Sequence, residues 1–139
     1  MSRLTFLSPH EADVPPAPGL GKLEVRGGVP EGSIPIGPAR ALVLVDGDPR
    51  PERDRLTAAG YRVYDMTAAL ASLEVDGEQL MRRLTELDLD ALPAVGSVAR
   101  GTTAVIERLD AERFRIHVPV ELSAYVADVL ADLEQGLER

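Results

Sequence analysis

The stretch that decides the fold is Gly101-Thr-Thr-Ala-Val-Ile-Glu-Arg-Leu109, Asp110-Ala-Glu112 and Arg113-Phe-Arg-Ile-His-Val118. In its last segment apolar side chains alternate with Arg115 and His117, so an extended chain has one apolar face and one polar face. The polar break between the two longer segments is only three residues long. The stretch therefore predicts a hairpin-like pair of strands in a sheet with one wet face.

An amphipathic helix is predicted directly after this pair, from Pro119 or Val120 to Gln135. Proline suits the first turn of a helix, and Gly136 suits the C-terminal cap. Apolar residues recur at helical spacing and form one continuous stripe: Leu122, Tyr125, Val126, Val129, Leu130 and Leu133. We expect this stripe to cover the apolar face of the strand pair.

Before the pair, residues 71–76 alternate as a half-buried strand does, and residues 78–87 have apolar side chains at helical spacing. Pro93 ends any helix before it, and residues 94–100 are predicted to be a connector. From Ala71 the order is strand, helix, strand, strand, helix. This order predicts an α+β fold: an antiparallel or mixed sheet with helices packed on one face.

The predicted sheet gains a further strand either from residues 41–45, a continuous apolar run that ends at a turn, or from residues 61–64, which follow Gly60. We expect a common core formed by Leu73, Val75, Leu84, Ile106, Ile116, Val126 and Leu130. These residues define a single α+β domain over residues 39–139.

Residues 1–38 hold seven of the 11 prolines and six of the 12 glycines. This density predicts a Pro/Gly-rich N-terminal arm without a long helix or a central strand. Within the arm, residues 22–26 alternate and are expected to form at most an edge strand. The apolar residues Leu4, Phe6, Leu7, Ile34 and Ile36 favour an arm that wraps on a surface.

The chain is acidic, with 15 basic and 23 acidic residues and a net charge of −8. This charge repels phosphate backbones and anionic lipid, so we expect neither nucleic acid nor a membrane as partner. The absence of cysteine excludes disulfides and thiolate metal sites. Because the apolar runs are far shorter than the roughly 18 residues that span a bilayer, we expect a cytoplasmic protein.

The side chains that invite chemistry have ordinary structural explanations. Asp46 and Asp48 form a turn sequence, and Asp88 and Asp90 suit the end of a helix. The two histidines, His10 and His117, lie far apart in sequence, and a lone exposed strand histidine is the default for the second. There is also no Gly-x-Ser-x-Gly nucleophile motif. We therefore predict no catalytic residue and no metal site.

Residues 41–64 resemble the first third of response-regulator receiver domains, which hold magnesium with paired acids after the first strand. Asp46 and Asp48 stand at that place. The Lys-Pro pair of receivers would fall on Val118 and Pro119, so the phosphate-contacting lysine is missing. A degenerate receiver-like domain is one alternative, and it requires a parallel sheet.

A second resemblance covers residues 61–135. Ala59-Gly-Tyr-Arg-Val-Tyr-Asp-Met-Thr67 and Ala71-Ser-Leu-Glu-Val-Asp-Gly77 resemble the opening of the glycine-cleavage T-protein fold. The later part is similar to the small gamma subunit of heterotetrameric sarcosine oxidase, which is a truncated relative of that fold. The segments that carry this likeness are residues 73–77, 78–87, Leu92-Pro93, 97–101, 104–118 and 122–133.

The resemblance implies a non-catalytic subunit or interaction module that buries a face against a protein partner or a copy of itself. It also implies, as an alternative, a small-molecule binder for folate-like ligands, with Tyr64, Asp65, Met66 and Arg100 as the candidate site. The chain lacks the Asn-x-x-Gly-Gly segment of T-proteins. In addition, Met66-Thr-Ala68 replaces their Ser-His-Met motif. The likeness therefore implies the fold and points away from an aminomethyltransferase.

Overall fold

A computed structural model describes residues 3–6 and 19–137. In chain order the elements are β1 (Arg3–Phe6), β2 (Leu20–Arg26), β3 (Ile34–Gly37), β4 (Arg40–Asp46), α1 (Arg50–Ala58), β5 (Arg62–Asp65), β6 (Leu70–Asp76), α2 (Glu78–Leu84), β7 (Ala94–Ser97), β8 (Thr103–Arg108), β9 (Arg113–Pro119) and α3 (Ser123–Leu137). Three short 3-10 turns join them. The chain divides into two compact units, one over residues 8–70 and one over residues 1–7 and 71–139. We call them the N-terminal and C-terminal units.

The N-terminal unit is a four-stranded sheet in the order β3-β4-β2-β5, with antiparallel pairing between all neighbours. Successive side chains of β2 point to opposite faces of the sheet. Those of Leu23 and Val25 are buried against Leu56 of α1. One face of the sheet is thereby covered by the helix. The glutamate and arginine of β2 lie on the opposite face.

The predicted arm is not supported, because β2 and β3 are strands of this sheet. The strand β2 is an inner strand with partners on both sides, which corrects the prediction that residues 1–38 exclude a central strand. The prolines explain the difference. Pro30 lies in the turn before β3, and Pro35 lies in β3 at the edge of the sheet, where a missing N–H is tolerated. The proline-rich residues 9–18 and the apolar residue Leu7 lie outside the described residues.

The C-terminal unit is a five-stranded sheet in the order β1-β6-β9-β8-β7. The pairs β1–β6, β7–β8 and β8–β9 are antiparallel. The helices α2 and α3 pack on the apolar face of this sheet through Leu80, Met81, Val126 and Leu130. The α+β class, the hairpin of β8 and β9, and the helices on one face are confirmed.

One core fills the space between this sheet and its helices. All seven residues predicted for it are buried there together. Phe114 and Val118 of β9 join them on the same face, as their alternation with charged residues requires. The period of two in the strands and the helical spacing in α3 are therefore sufficient to place this core.

Three local predictions in the C-terminal unit are wrong. Residues 94–97, predicted as part of a connector, form the edge strand β7. The helix α2 ends at Leu84 because Thr85 is extended and donates its hydroxyl hydrogen to the Ser97 carbonyl at 2.8 Å. Gly136, predicted as a cap, lies within α3.

The receiver-like alternative is also wrong. A receiver requires a parallel sheet, whereas residues 41–45 and 62–65 belong to strands that pair antiparallel with β2 on either side. Asp48, one of the two acids in that resemblance, forms a two-pronged ion pair with Arg50 at the start of α1.

Candidate functional site

The predicted site residues fall on both units. Tyr64 and Asp65 end β5 in the N-terminal unit, and Met66 follows them. The backbone of Arg100 is part of the 3-10 turn Ala99–Gly101 in the C-terminal unit. The side chain of Arg100 lies outside the part of the chain that the structure describes. The four-residue site and its folate-like ligand thus stay a prediction.

Asp65 and Met66 are held by local hydrogen bonds. The Asp65 carboxylate accepts from the Thr67 backbone N–H at 2.9 Å, which is the geometry of an Asx turn. The Met66 N–H donates to the Lys22 carbonyl at 2.8 Å, so the segment after β5 continues alongside β2. Lys22 itself is fully buried, and its Nζ donates to the Leu70 carbonyl at 2.8 Å. These contacts fix the backbone at Asp65 and Met66, and the side chains of Tyr64 and Asp65 are both exposed.

Tyr64 is 43% exposed and belongs to a polar cluster on the face of the sheet opposite α1. The guanidinium of Arg26 lies over its ring, 4.9 Å from the centroid. Arg26 Nε also donates to Glu24 Oε2 at 2.8 Å, while Arg40 donates to Glu24 Oε1 at 2.9 Å. Burial alone would raise the pKa of the Glu24 carboxyl, but the hydrogen bonds from Arg26 and Arg40 outweigh it and lower this pKa.

A second polar cluster lies on the face of the C-terminal sheet that is opposite α2 and α3. The Ser72 hydroxyl is 2.7 Å from His117 Nδ1, and His117 Nε2 is 2.7 Å from Glu107 Oε2. Arg115 Nε donates to the same carboxylate oxygen at 3.0 Å. We call these four residues the buried relay, because Ser72 and His117 are almost completely inaccessible to solvent.

The proton positions in the relay follow from the acceptor at its end. Because an ionised carboxylate only accepts, Nε2 of His117 carries the hydrogen that Glu107 receives. In the neutral imidazole Nδ1 accepts from the Ser72 hydroxyl, whereas in the charged imidazolium Nδ1 donates to it. Burial alone would raise the pKa of the Glu107 carboxyl, but the hydrogen bonds and charges of His117 and Arg115 outweigh it and hold this pKa below its ordinary value.

The prediction that His117 is an exposed strand histidine is wrong, since its exposed fraction is 1%. The sequence feature that points to this environment is the polar face of the hairpin formed by β8 and β9. Val105 and Glu107 on β8 stand opposite His117 and Arg115 on β9. Ser72 could not be assigned to this face from sequence, because 45 residues separate it from His117.

The relay has the residue types of a hydrolytic triad but not its arrangement. In such a triad the serine contacts Nε2 and the carboxylate contacts Nδ1 of the histidine, whereas here the two contacts are exchanged. Ser72 also lies inside a strand and is fully buried. Its hydroxyl is therefore not placed as the nucleophile of such a triad is.

The remaining acidic candidates also have structural partners. The Asp88 carboxylate accepts from the Asp90 N–H at 3.0 Å and caps the 3-10 turn Leu89–Ala91. Asp90 forms an ion pair with Arg108 at 3.2 Å. Among the residues that the structure describes, no three His, Cys, Asp or Glu side chains are grouped as a metal site would require. No helix within the described ranges has both the length and the apolar character needed to cross a bilayer.

Comparisons with known proteins relate this fold to that of a chain in a solved oxidase complex. No protein-family model matches the sequence, and no curated protein matches it. Among solved structures, the chain is similar to one from the heterotetrameric sarcosine oxidase of Corynebacterium sp. U-96, determined in complex with pyrrole 2-carboxylate. The TM-score is 0.77 at 14% sequence identity, and the match covers 99% of this chain and 86% of that chain. The two chains therefore share their fold.

Proposed function

We propose that this protein is a non-catalytic accessory subunit of a multi-subunit oxidase, resembling the gamma subunit of heterotetrameric sarcosine oxidase. The observation that carries the proposal is the shared fold over nearly the whole of this chain and most of the other. Both units of the present chain are included in that match, because it covers 99% of the residues. The likeness thus extends beyond residues 61–135, which carry the sequence resemblance.

The coverage supports a role for the chain as a whole. Since 99% of this chain accounts for 86% of the matched chain, the two are similar in length. The matched chain is a component of a heterotetramer, so its fold functions in contact with other polypeptides. By analogy, we infer that the present chain is also one member of a protein complex and works in the cytoplasm.

The buried relay supports the non-catalytic part of the proposal. Within the described ranges there is one hydrogen-bonded series of a serine, a histidine and a carboxylate, formed by Ser72, His117 and Glu107. Its serine is buried. Its contacts hold three neighbouring strands together, since Ser72, Glu107 and His117 come from β6, β8 and β9. Chemistry on a substrate would then be performed by the other subunits of the oxidase.

Copurification from the source organism tests this proposal. An affinity-tagged copy of the full chain is expected to isolate larger subunits in fixed stoichiometry, and the purified complex is expected to consume oxygen with sarcosine or a related N-alkyl amino acid. A Ser72→Ala copy that assembles normally should give the same turnover per complex. Isolation of the chain alone under mild conditions would contradict the proposal. A loss of turnover in an intact Ser72→Ala complex would contradict its non-catalytic part.

A further inference from the structure

Three arginines stand in one row across the sheet of the N-terminal unit. Arg26 of β2 is paired in register with Arg40 of β4 on one side and with Arg62 of β5 on the other. Residues directly opposite each other on antiparallel strands point to the same face, with Cβ atoms about 4.5–5.5 Å apart. The three side chains therefore start from a line roughly 10 Å long. We call them the arginine row.

The arginine row is accessible. Its face is the one opposite α1, because Leu23 and Val25 of β2 point to α1 and Arg26 follows them in the alternation. The side chains of Arg26 and Arg40 are each 44% exposed, and Arg62 is exposed as well. A ligand in solution can reach all three guanidinium groups.

The charges of the row are not balanced by its neighbours. Glu24 is the carboxylate that Arg26 and Arg40 share. Arg62 forms no ion pair with any other described residue. Three guanidinium groups and one carboxylate leave a local charge of +2 on a chain whose net charge is −8. Like charges directly opposite each other destabilise a sheet, so an anion that binds beside Glu24 and neutralises the remaining charge is expected to stabilise the row.

The remaining hydrogen-bond donors of the row suit carboxylates. A guanidinium has five N–H donors in a planar fork that matches a carboxylate in a bidentate manner. Arg26 uses its Nε on Glu24, and Arg40 uses one terminal nitrogen on the same residue. Tyr64 lies in the adjacent row, opposite Glu24, and its ring holds the Arg26 guanidinium in place by stacking.

We propose that the arginine row, with Tyr64 beside it, is a docking surface for an acidic segment of a partner polypeptide. The length of the row favours this class of ligand over a single small anion. Carboxylates on one face of an extended segment repeat every 6.6 Å or so, and those one helical turn apart are about 5–6 Å apart. Two or three carboxylates thus fit along the row, whereas one phosphate meets only part of it. This inference depends on the proposed function in one respect: the ligand is taken to be a protein.

Titration of the full-length chain with a synthetic peptide tests the inference. The probe is N-acetylated, C-amidated hexaglutamate, with hexaglutamine as the uncharged control, followed by backbone amide NMR at low ionic strength. We expect hexaglutamate to shift the amide signals of β2, β4 and β5. We also expect the affinity to fall when salt is added, because salt screens exposed charges.

Two charge-reversal variants separate the row from the overall charge. Arg62→Glu is expected to weaken hexaglutamate binding by about tenfold or more, since it reverses a charge within the row. Arg83→Glu makes the same change in net charge at an exposed position in the C-terminal unit and is expected to alter binding by less than about twofold. Because Arg62 opposes another arginine, Arg62→Glu should unfold in urea at the wild-type midpoint or above it.

Several results would overturn the inference. These are no shift on adding hexaglutamate, equal weakening by the two variants, or binding of inorganic phosphate as tight as that of the peptide. The titration uses the isolated chain, so its failure would leave the test by copurification unaffected. Conversely, failure to isolate an oxidase would leave a positive titration as evidence for an acidic partner of another kind.

Discussion

The Ser72 hydroxyl and the imidazole of His117 form a hydrogen bond of 2.7 Å between two neighbouring strands, although 45 residues separate them in the chain. Both side chains are buried on the face of the C-terminal sheet away from its helices. Because a buried polar contact costs most when one partner is removed, this pair is a direct test of what the relay does.

Replacing Ser72 by alanine is expected to lower the free energy of unfolding by about 1–3 kcal/mol, because the buried Nδ1 of His117 loses its hydrogen bond to the Ser72 hydroxyl. Urea denaturation monitored by circular dichroism measures the change. Ser97→Ala is the matched control, since Ser97 is exposed and its contacts to Thr85 and to β8 are made by its backbone. Equal stability of the two variants would refute a stabilising role for the Ser72 hydroxyl.

The Glu107 carboxylate predicts a loss of stability in acid. Its pKa in the folded chain lies below the ordinary value of about 4.3, so it stabilises the fold above that pH. This contribution disappears as the pH falls through the lowered pKa of the folded state. We expect the free energy of unfolding to decline below about pH 4.3. Glu107→Gln should be less stable at neutral pH and should show a shallower decline, and an unchanged pH profile in this variant would contradict the assignment.

Gly96 lies directly beneath the side chain of Leu87. A Cβ atom at this position would lie 2.6 Å from Leu87 Cγ, so Leu87 or β7 would have to move. We expect Gly96→Ala to cost about 1–3 kcal/mol as an overpacking change. Gly136→Ala is the control, because no atom lies within 4 Å of its added Cβ and the residue is helical. That change should be neutral or stabilise by up to about 1 kcal/mol. A neutral Gly96→Ala would show that this packing is not needed.

Arg108 ties the hairpin of β8 and β9 to the segment after α2. Its guanidinium donates to the carbonyls of Leu89 and Ala111 at 3.3 and 2.9 Å and lies over the Phe114 ring at 5.1 Å. Arg108→Lys keeps the charge but loses the planar fork, so we expect a loss of about 1–2 kcal/mol in urea denaturation. Arg83→Lys, at an exposed position, should change stability by less than about 0.5 kcal/mol. Similar values for both variants would show that charge alone matters.

The parts of the fold that follow local patterns could be predicted from the sequence. Residues 103–119 alternate with a period of two, and residues 123–137 have an apolar helical stripe, so the hairpin, α3 and their common core were placed correctly. The proline density of residues 1–38 as a whole does not predict the strand β2. Its own seven residues contain no proline, and after it Pro30 and Pro35 occupy a turn and an edge strand.

The polar clusters could not be predicted in the same way, because they depend on register between distant strands. The arginine row depends on the strand register that places residues 40 and 62 opposite residue 26. The relay depends on β9 lying between β6 and β8 in the sheet. Of the predicted site, Tyr64 is the residue whose exposed side chain joins such a cluster, whereas Asp65 is engaged in a turn.

Native mass spectrometry of the chain purified with its partners tests the central claim most directly. The account predicts that this 14.9 kDa chain is found in fixed stoichiometry within one oxidase assembly whose larger subunits carry the oxygen-consuming activity. Detection of the chain only as a free monomer or as a homo-oligomer, beside an oxidase that is complete and active without it, would contradict the account.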